Sequence, residues 1–153
     1  MNIEELLKNN NISYATCSIK EDQFDFLLTK ELGEYLRCLG TSIGLNKTDS
    51  GCYLTYLFSV DDIAGEQYEI LLSNKRIVLG NSINGDLLVY NLLTGHVGYI
   101  FGAEFSEDAY EALDDIYIEL PYGIGLFLSA AIYDSNYPFD GAKAEDYYTF
   151  QKT

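Results

Sequence analysis

The sequence predicts an α+β fold in which a central antiparallel meander sheet is flanked by helices, all within one domain over residues 1–153. Two observations lead to it. From Arg76 onward, three apolar runs (Ile77-Val78-Leu79, Leu87-Leu88-Val89-Tyr90 and Val97-Gly98-Tyr99-Ile100) are separated by Asn84-Gly85-Asp86 and by Thr94-Gly95. Asn-Gly suits a hairpin because both residues tolerate the positive φ of a primed turn. Thr-Gly supplies the same freedom at the second reversal. The runs are short and rich in β-branched and aromatic residues, which favours strands over helices. The second observation is order: apolar residues at helical spacing fall before and after this consecutive sheet.

At the amino terminus Ile3, Leu6 and Leu7 recur at helical spacing, and Glu4 and Glu5 sit where the helix dipole favours anions. Asn9, Asn10 and Asn11 end that helix. Residues 12–19 suit a short strand. Thr29 caps a second helix over 29–40, whose stripe of Leu32, Tyr35, Leu36 and Leu39 buries against the sheet and which Gly40 closes. Asp49-Ser50-Gly51 turns the chain into a strand over 53–58, and Ser59-Val60-Asp61-Asp62 starts one helical turn through Ile63. Residues 66–72 extend toward the meander. Beyond the meander, 104–115 forms a helical turn or a long hairpin loop, and Ile116-Tyr117-Ile118-Glu119 alternates as a strand. Pro121 sits where a nearly all-apolar, buried helix through Ile132 begins. A YPFDG turn and AKAEDYYTF follow.

Charge is the strongest functional signal. Twenty-four acids against nine bases give −15, a field that repels nucleic acid. No lysine or arginine lies between Arg76 and Lys143. Beyond Arg76 the chain carries twelve acids and two bases, net −10; up to and including Arg76 it carries twelve acids and seven bases, net −5. A segregated negative surface attracts a basic protein. Its densest part is 104–115, with Glu104, Glu107, Asp108, Glu111, Asp114 and Asp115. Tyr110 and Tyr117 are the aromatic anchors such an interface favours.

Other chemistry is not indicated. Cys17, Cys38 and Cys52 are odd in number and lack CxxC spacing, so neither a disulfide framework nor a zinc site is expected, and a reducing cytoplasm is. The amino terminus is acidic and amphipathic, unlike a signal peptide. The apolar uncharged run 120–133 is too short to span a bilayer, so no membrane association is expected. His96 is the single histidine and fits a rim position. Asp86 fits as the residue that closes the Asn-Gly turn, and NSINGD lacks the alternating acids of an EF-hand. No P-loop, GxGxxG or GxSxG motif occurs. No catalytic residue, metal or cofactor is expected, and no enzyme.

The combination LGEYLRCLG, SVDDI and INGDLLVYNLLTGHVGYI resembles the SUKH superfamily, which includes a yeast cell-wall assembly regulator and bacterial immunity proteins. Tyr35, Leu36, Leu39 and Gly40 match its early helix. Gly85, Asp86, Thr94, Gly95 and Val97 match its hairpin signature, and Phe127-Leu128 its closing helix. Two positions depart from the pattern: no Leu-Pro precedes the early helix, and Asn91 stands where Asp is common before the turn. The resemblance implies a SUKH-like α+β fold and a protein that binds and neutralises a bacterial polymorphic toxin, often a nuclease or deaminase. A basic nuclease cleft and an acidic partner are complementary, so the resemblance and the charge agree. The same resemblance leaves a second class open, an intracellular regulatory or scaffold protein that binds another protein partner.

Overall fold

The structure is a computed structural model that describes residues 2–152, with side chains through Asp146. Six strands pair consecutively into one antiparallel meander: β1 (Ile43–Lys47), β2 (Tyr53–Leu57), β3 (Arg76–Ser82), β4 (Leu87–Asn91), β5 (Val97–Ile100) and β6 (Tyr117–Glu119). The α+β meander expected from the sequence is therefore present, extended on both sides. Around it lie α1 (Ile3–Asn9), α2 (Lys30–Leu36), α3 (Val60–Gly65), α4 (Glu69–Ser73), α5 (Gly102–Ser106), α6 (Ile124–Tyr133) and α7 (Gly141–Lys152).

Strand periodicity assigns the two faces. Ile77, Leu88, Tyr90, Val97, Tyr99 and Leu120 point to the larger core, where α1, α2 and α6 contribute Leu7, Leu32, Leu36, Phe127 and Leu128. Val78, Val89 and Ile100 point to the opposite face, where Leu71 of α4 and Leu113 and Ile116 from the β5–β6 connection cover them. Both faces of β3–β5 are thus buried, and this is why their apolar runs are continuous rather than alternating.

Several elements differ from expectation. Residues 12–19 form no strand; one parallel bridge, Ala15 to Leu39, is all the pairing there. The second helix ends at Leu36, and Gly40 is not its cap. Gly40 instead donates its N–H to the Ala15 carbonyl (2.7 Å), and a Cβ there would lie 2.9 Å from the same oxygen. Of the residues expected to extend toward the meander, 69–72 lie in α4, and Gln67 exchanges two 2.9 Å bonds with the Val78 backbone. The closing helix begins at Ile124, with the Glu31 carboxylate accepting from its N–H (2.8 Å), and Pro121 lies outside it. Leu126 on that helix is exposed rather than buried. Strand β1 and helix α7 were not anticipated; α7 is capped by Asp140, which accepts from Lys143 N (2.8 Å).

Ile116 is buried between the connection and the sheet. Ile116→Ala should lower unfolding free energy by about 2–4 kcal/mol. In urea titration with hydrogen exchange, amide exchange should accelerate first over 102–116 and last in β3 and β4.

Candidate functional site

The connection between β5 and β6 carries every acid expected at the partner surface. Its start is pinned by buried Asp86, whose Oδ1 accepts from Gly102 N (2.9 Å) and whose Oδ2 accepts from Gly141 N (2.8 Å). Asp86 therefore does more than close the Asn-Gly turn: it ties the connection and α7 to the β3–β4 hairpin. From Gly102 the chain runs through α5, a loop, and a 3-10 turn over Leu113–Ile116. Phe105 and Tyr110 stack (6.2 Å, 17°) and join Leu113 and Ile116 against the sheet, while Phe105 meets Tyr68 edge-on at 5.1 Å. With the apolar side chains turned inward, Glu104, Glu107, Asp108, Glu111, Asp114 and Asp115 are all exposed.

These acids are largely unneutralised. Among the described residues only Asp114 of the six forms an ion pair, 3.6 Å from Arg76, and Asp115 accepts from Ala112 N (3.0 Å). Among the described residues Glu104, Glu107 and Glu111 find no side-chain hydrogen bond or ion pair. Glu66 and Glu69, exposed beside Tyr68 on the α4 segment, extend the negative surface, and no base occurs over 59–74 or 101–116. The sequence held this extension, but it emerges only once α4 and the connection are seen to share one sheet face.

The expected anchors are placed differently from the acids. Tyr110 is half-buried in the packing just described. Tyr117 lies under the Arg76 guanidinium (4.6 Å to the ring centroid) and donates its hydroxyl to Glu119 Oε1 (2.7 Å). Burial first, and then the Glu119 carboxylate, hold the phenol protonated far above its ordinary range, with Arg76 opposing. A Cβ at Gly98 would stand 2.7 Å from the Tyr117 hydroxyl, so glycine on β5 is what lets the ring lie there.

Glu119 is the centre of a second cluster that sequence reasoning missed. Asn91, buried at the end of β4, donates Nδ2 to Glu119 Oε1 (2.6 Å), and His96 Nδ1 is 3.6 Å from Glu119 Oε2. Register explains the gathering. Arg76 pairs with Asn91 across β3–β4, Val89 with Gly98 across β4–β5, and Gly98 with Glu119 across β5–β6. All therefore share one face, and this polar row is its end, with Asn91 buried and Arg76, His96, Tyr117 and Glu119 half-buried. Period-two alternation from Val78 to Arg76 and from Val89 to Asn91 was the available signal.

The row borders a groove of about 410 Å³ lined by His96, Asp114, Tyr117, Ile118, Glu119 and Pro121. Its side chains offer carboxylate acceptors, an imidazole and a protonated phenol. Cys17 and Cys38 lie elsewhere, their thiols pushed up by burial. Among the described residues no group of three or more His, Cys, Asp and Glu side chains could hold a metal ion, and no helix is long and apolar enough to cross a membrane. No family model, curated protein or solved structure matches the chain.

The Asn91–Glu119 contact predicts a pH-dependent variant. Asn91→Asp sets a second carboxylate against Glu119, raising the pair's affinity for a proton in the folded state above that of the unfolded chain. Folding should weaken by about 2–4 kcal/mol near neutral pH. Stability should return as pH falls toward about 4, the unfolded carboxylate range. Urea midpoints at the two pH values check it; equal losses at both would exclude the like-charge account.

Proposed function

We propose that this chain is a SUKH-like, non-enzymatic immunity protein. It acts in the bacterial cytoplasm, where it binds a cognate toxin with a basic, nuclease-like domain and neutralises it by covering the cationic cleft. The observation that carries the reading is the base-free cover of the second sheet face: six exposed acids on one connection, one of them in an ion pair among the described residues, with Glu66 and Glu69 alongside. A surface of one sign steers a partner of the other and rejects polyanions. The aromatic and aliphatic groups beneath hold the acids on a packed scaffold, so little ordering is required on binding. The motif resemblance at Gly85, Asp86, Thr94 and Gly95 points to the same role. Asp86 and Gly95 occupy structurally demanding places: the former holds two segments, and the latter has φ of 75°.

Co-expression with the product of the adjacent gene tests the reading, by viability and by isolation of a complex. Within such a complex, Glu104, Glu107 and Glu111 are the informative positions because their side chains have no intramolecular bond to lose among the described residues. Changing all three to Gln should leave thermal stability unchanged and slow association about tenfold at low salt. The salt dependence of the rate should flatten as well. Stopped-flow association at two ionic strengths checks this, and unaltered rates would remove the connection from the interface.

A further inference from the structure

A second surface, at the end of the sheet where the β4–β5 hairpin turns, has features that solvation does not account for. Three concavities open around residues 91–96. One is the groove beside β6 already described. A second, of about 450 Å³, shares His96 with it and is lined by Glu31, Thr94, Gly95, Gly123 and Leu126. A third, of about 250 Å³, lies on the hairpin's other side between Asp25, Leu27, Leu72, Lys75 and Leu92. The hairpin stands between the last two. Leu27, Leu93 and Leu126 are 85%, 74% and 61% exposed. A single exposed leucine is ordinary, but here Leu27 lines the third concavity, Leu126 the second, and Leu93 projects from the turn between Leu92 and Thr94, which line one each.

Leu93 is not exposed because its loop is loose. Its N–H donates to Asn91 Oδ1 (2.9 Å), and Gly95 N donates to Asn91 O (2.8 Å). His96 N donates to Thr94 Oγ1 (3.2 Å), and Leu92 N to Lys75 O (2.9 Å). Asn91 is in turn held by Glu119. An apolar side chain projected from a turn with its backbone bonds made is a preorganised anchor, which loses little entropy when it is covered.

We propose that this hairpin end is an interaction surface for a cationic, extended segment of a protein partner, with Leu93 and Leu126 as its desolvated centre and carboxylates as its rim. Charge selects that occupant. Asp25, Glu31, Asp114 and Glu119 line the three concavities against one lysine, Lys75, and Arg76, which is held beside the first by Asp114 and the Tyr117 ring, so carboxylates remain in excess. A second copy related by a two-fold axis would bring the same carboxylates face to face, which charge opposes. Asp114 belongs both to this rim and to the acidic connection, so the two surfaces are continuous. The inference rests on the proposed basic partner but assigns the anchoring contacts to a different part of the molecule.

The test uses the whole ¹⁵N-labelled chain and a short peptide of alternating arginine and leucine, with a counterpart in which serine replaces each leucine. Amide shifts on titration of the first should center on Leu93, Thr94, Gly95 and Leu126, and the serine peptide should bind about tenfold more weakly. In the double variant Leu93→Ser, Leu126→Ser, whose spectrum should otherwise be unchanged, the two peptides should bind alike. Equal binding of both peptides to the unaltered chain overturns the proposal, as do shifts confined to 104–115. A chain that sediments as a dimer, and as a monomer in the double variant, assigns the surface to a second copy and also overturns it. Toxin rescue that survives the double variant with undiminished complex lifetime sinks this surface and leaves the immunity reading standing. The expected peptide result without any toxin rescue does the reverse.

Discussion

The central strands carry apolar side chains on both faces, so the chain has to cover the same sheet twice. The first cover is built from the helices α1, α2 and α6, whose apolar stripes are wide enough to bury Ile77, Leu88, Tyr90 and Tyr99. The second is thinner. It consists of α4 and the β5–β6 connection, short pieces in which Leu71, Leu113 and Ile116 reach inward. A thin cover has an outer side close to its inner side, and in a segment with no base every charged group on that outer side is a carboxylate. The acidic surface and the second core are therefore two sides of one structural requirement. Removing the cover would expose Val78, Val89 and Ile100 to water. Removing its charge need not disturb the packing beneath.

At the end of that face the requirement changes character. Arg76 and Asn91 continue the rows that hold Val78 and Val89, and there polar groups, still largely buried, take over. Glu119 accepts from Asn91 and from Tyr117, and Arg76 lies over the Tyr117 ring. The result joins β3, β4 and β6 without a close ion pair at its centre. An amide serves at position 91 better than the Asp common in the resembling family, because a carboxylate donor is impossible at neutral pH and a like charge at 2.6 Å is costly. Asn91, one of the two departures from the resembling pattern, is accounted for by the Glu119 carboxylate it meets in three dimensions.

What the residues revealed in order, and what they did not, follows the range of the forces involved. The positions of the hairpin turns at Asn84-Gly85 and Thr94-Gly95, the Thr29 cap and the apolar runs are local features, set by backbone freedom and by neighbours within a few positions, and these were readable. At the first turn, however, Gly85 alone takes a positive φ (93°) and Asn84 does not, so it is not the primed turn expected. Strand β1 was not. IGLNK has little strand propensity of its own and is held by pairing with β2 and by Asn46 Nδ2 donating to Ala131 O (2.8 Å) on α6. Gly40 invited a helix-cap reading because glycine has two uses, left-handed backbone and close approach, and sequence alone does not separate them. The six exposed acids of the connection were visible as a cluster. That they adjoin Glu66 and Glu69, and that Tyr117 is already engaged by Arg76 and Glu119, depended on which segments share a face.

The same division bears on how such a surface would work. Carboxylates on long, solvated side chains act at a distance and chiefly set how often a basic partner arrives. They hold it weakly once it has arrived, since each exposed pair is worth at most about 1 kcal/mol. A complex that must outlast a toxin's action needs slow dissociation as well, and that comes from desolvated apolar contact on rigid backbone. The acidic connection supplies the first property and lacks the second, because its apolar side chains are already spent inward on the sheet. The hairpin end supplies the second: Leu93 projects from a turn whose bonds are made, beside glycine-lined grooves that a partner's backbone can approach. On the proposed reading, arrival and retention would fall to adjoining regions, joined at Asp114, and the sheet that had to be covered twice is what would set them side by side.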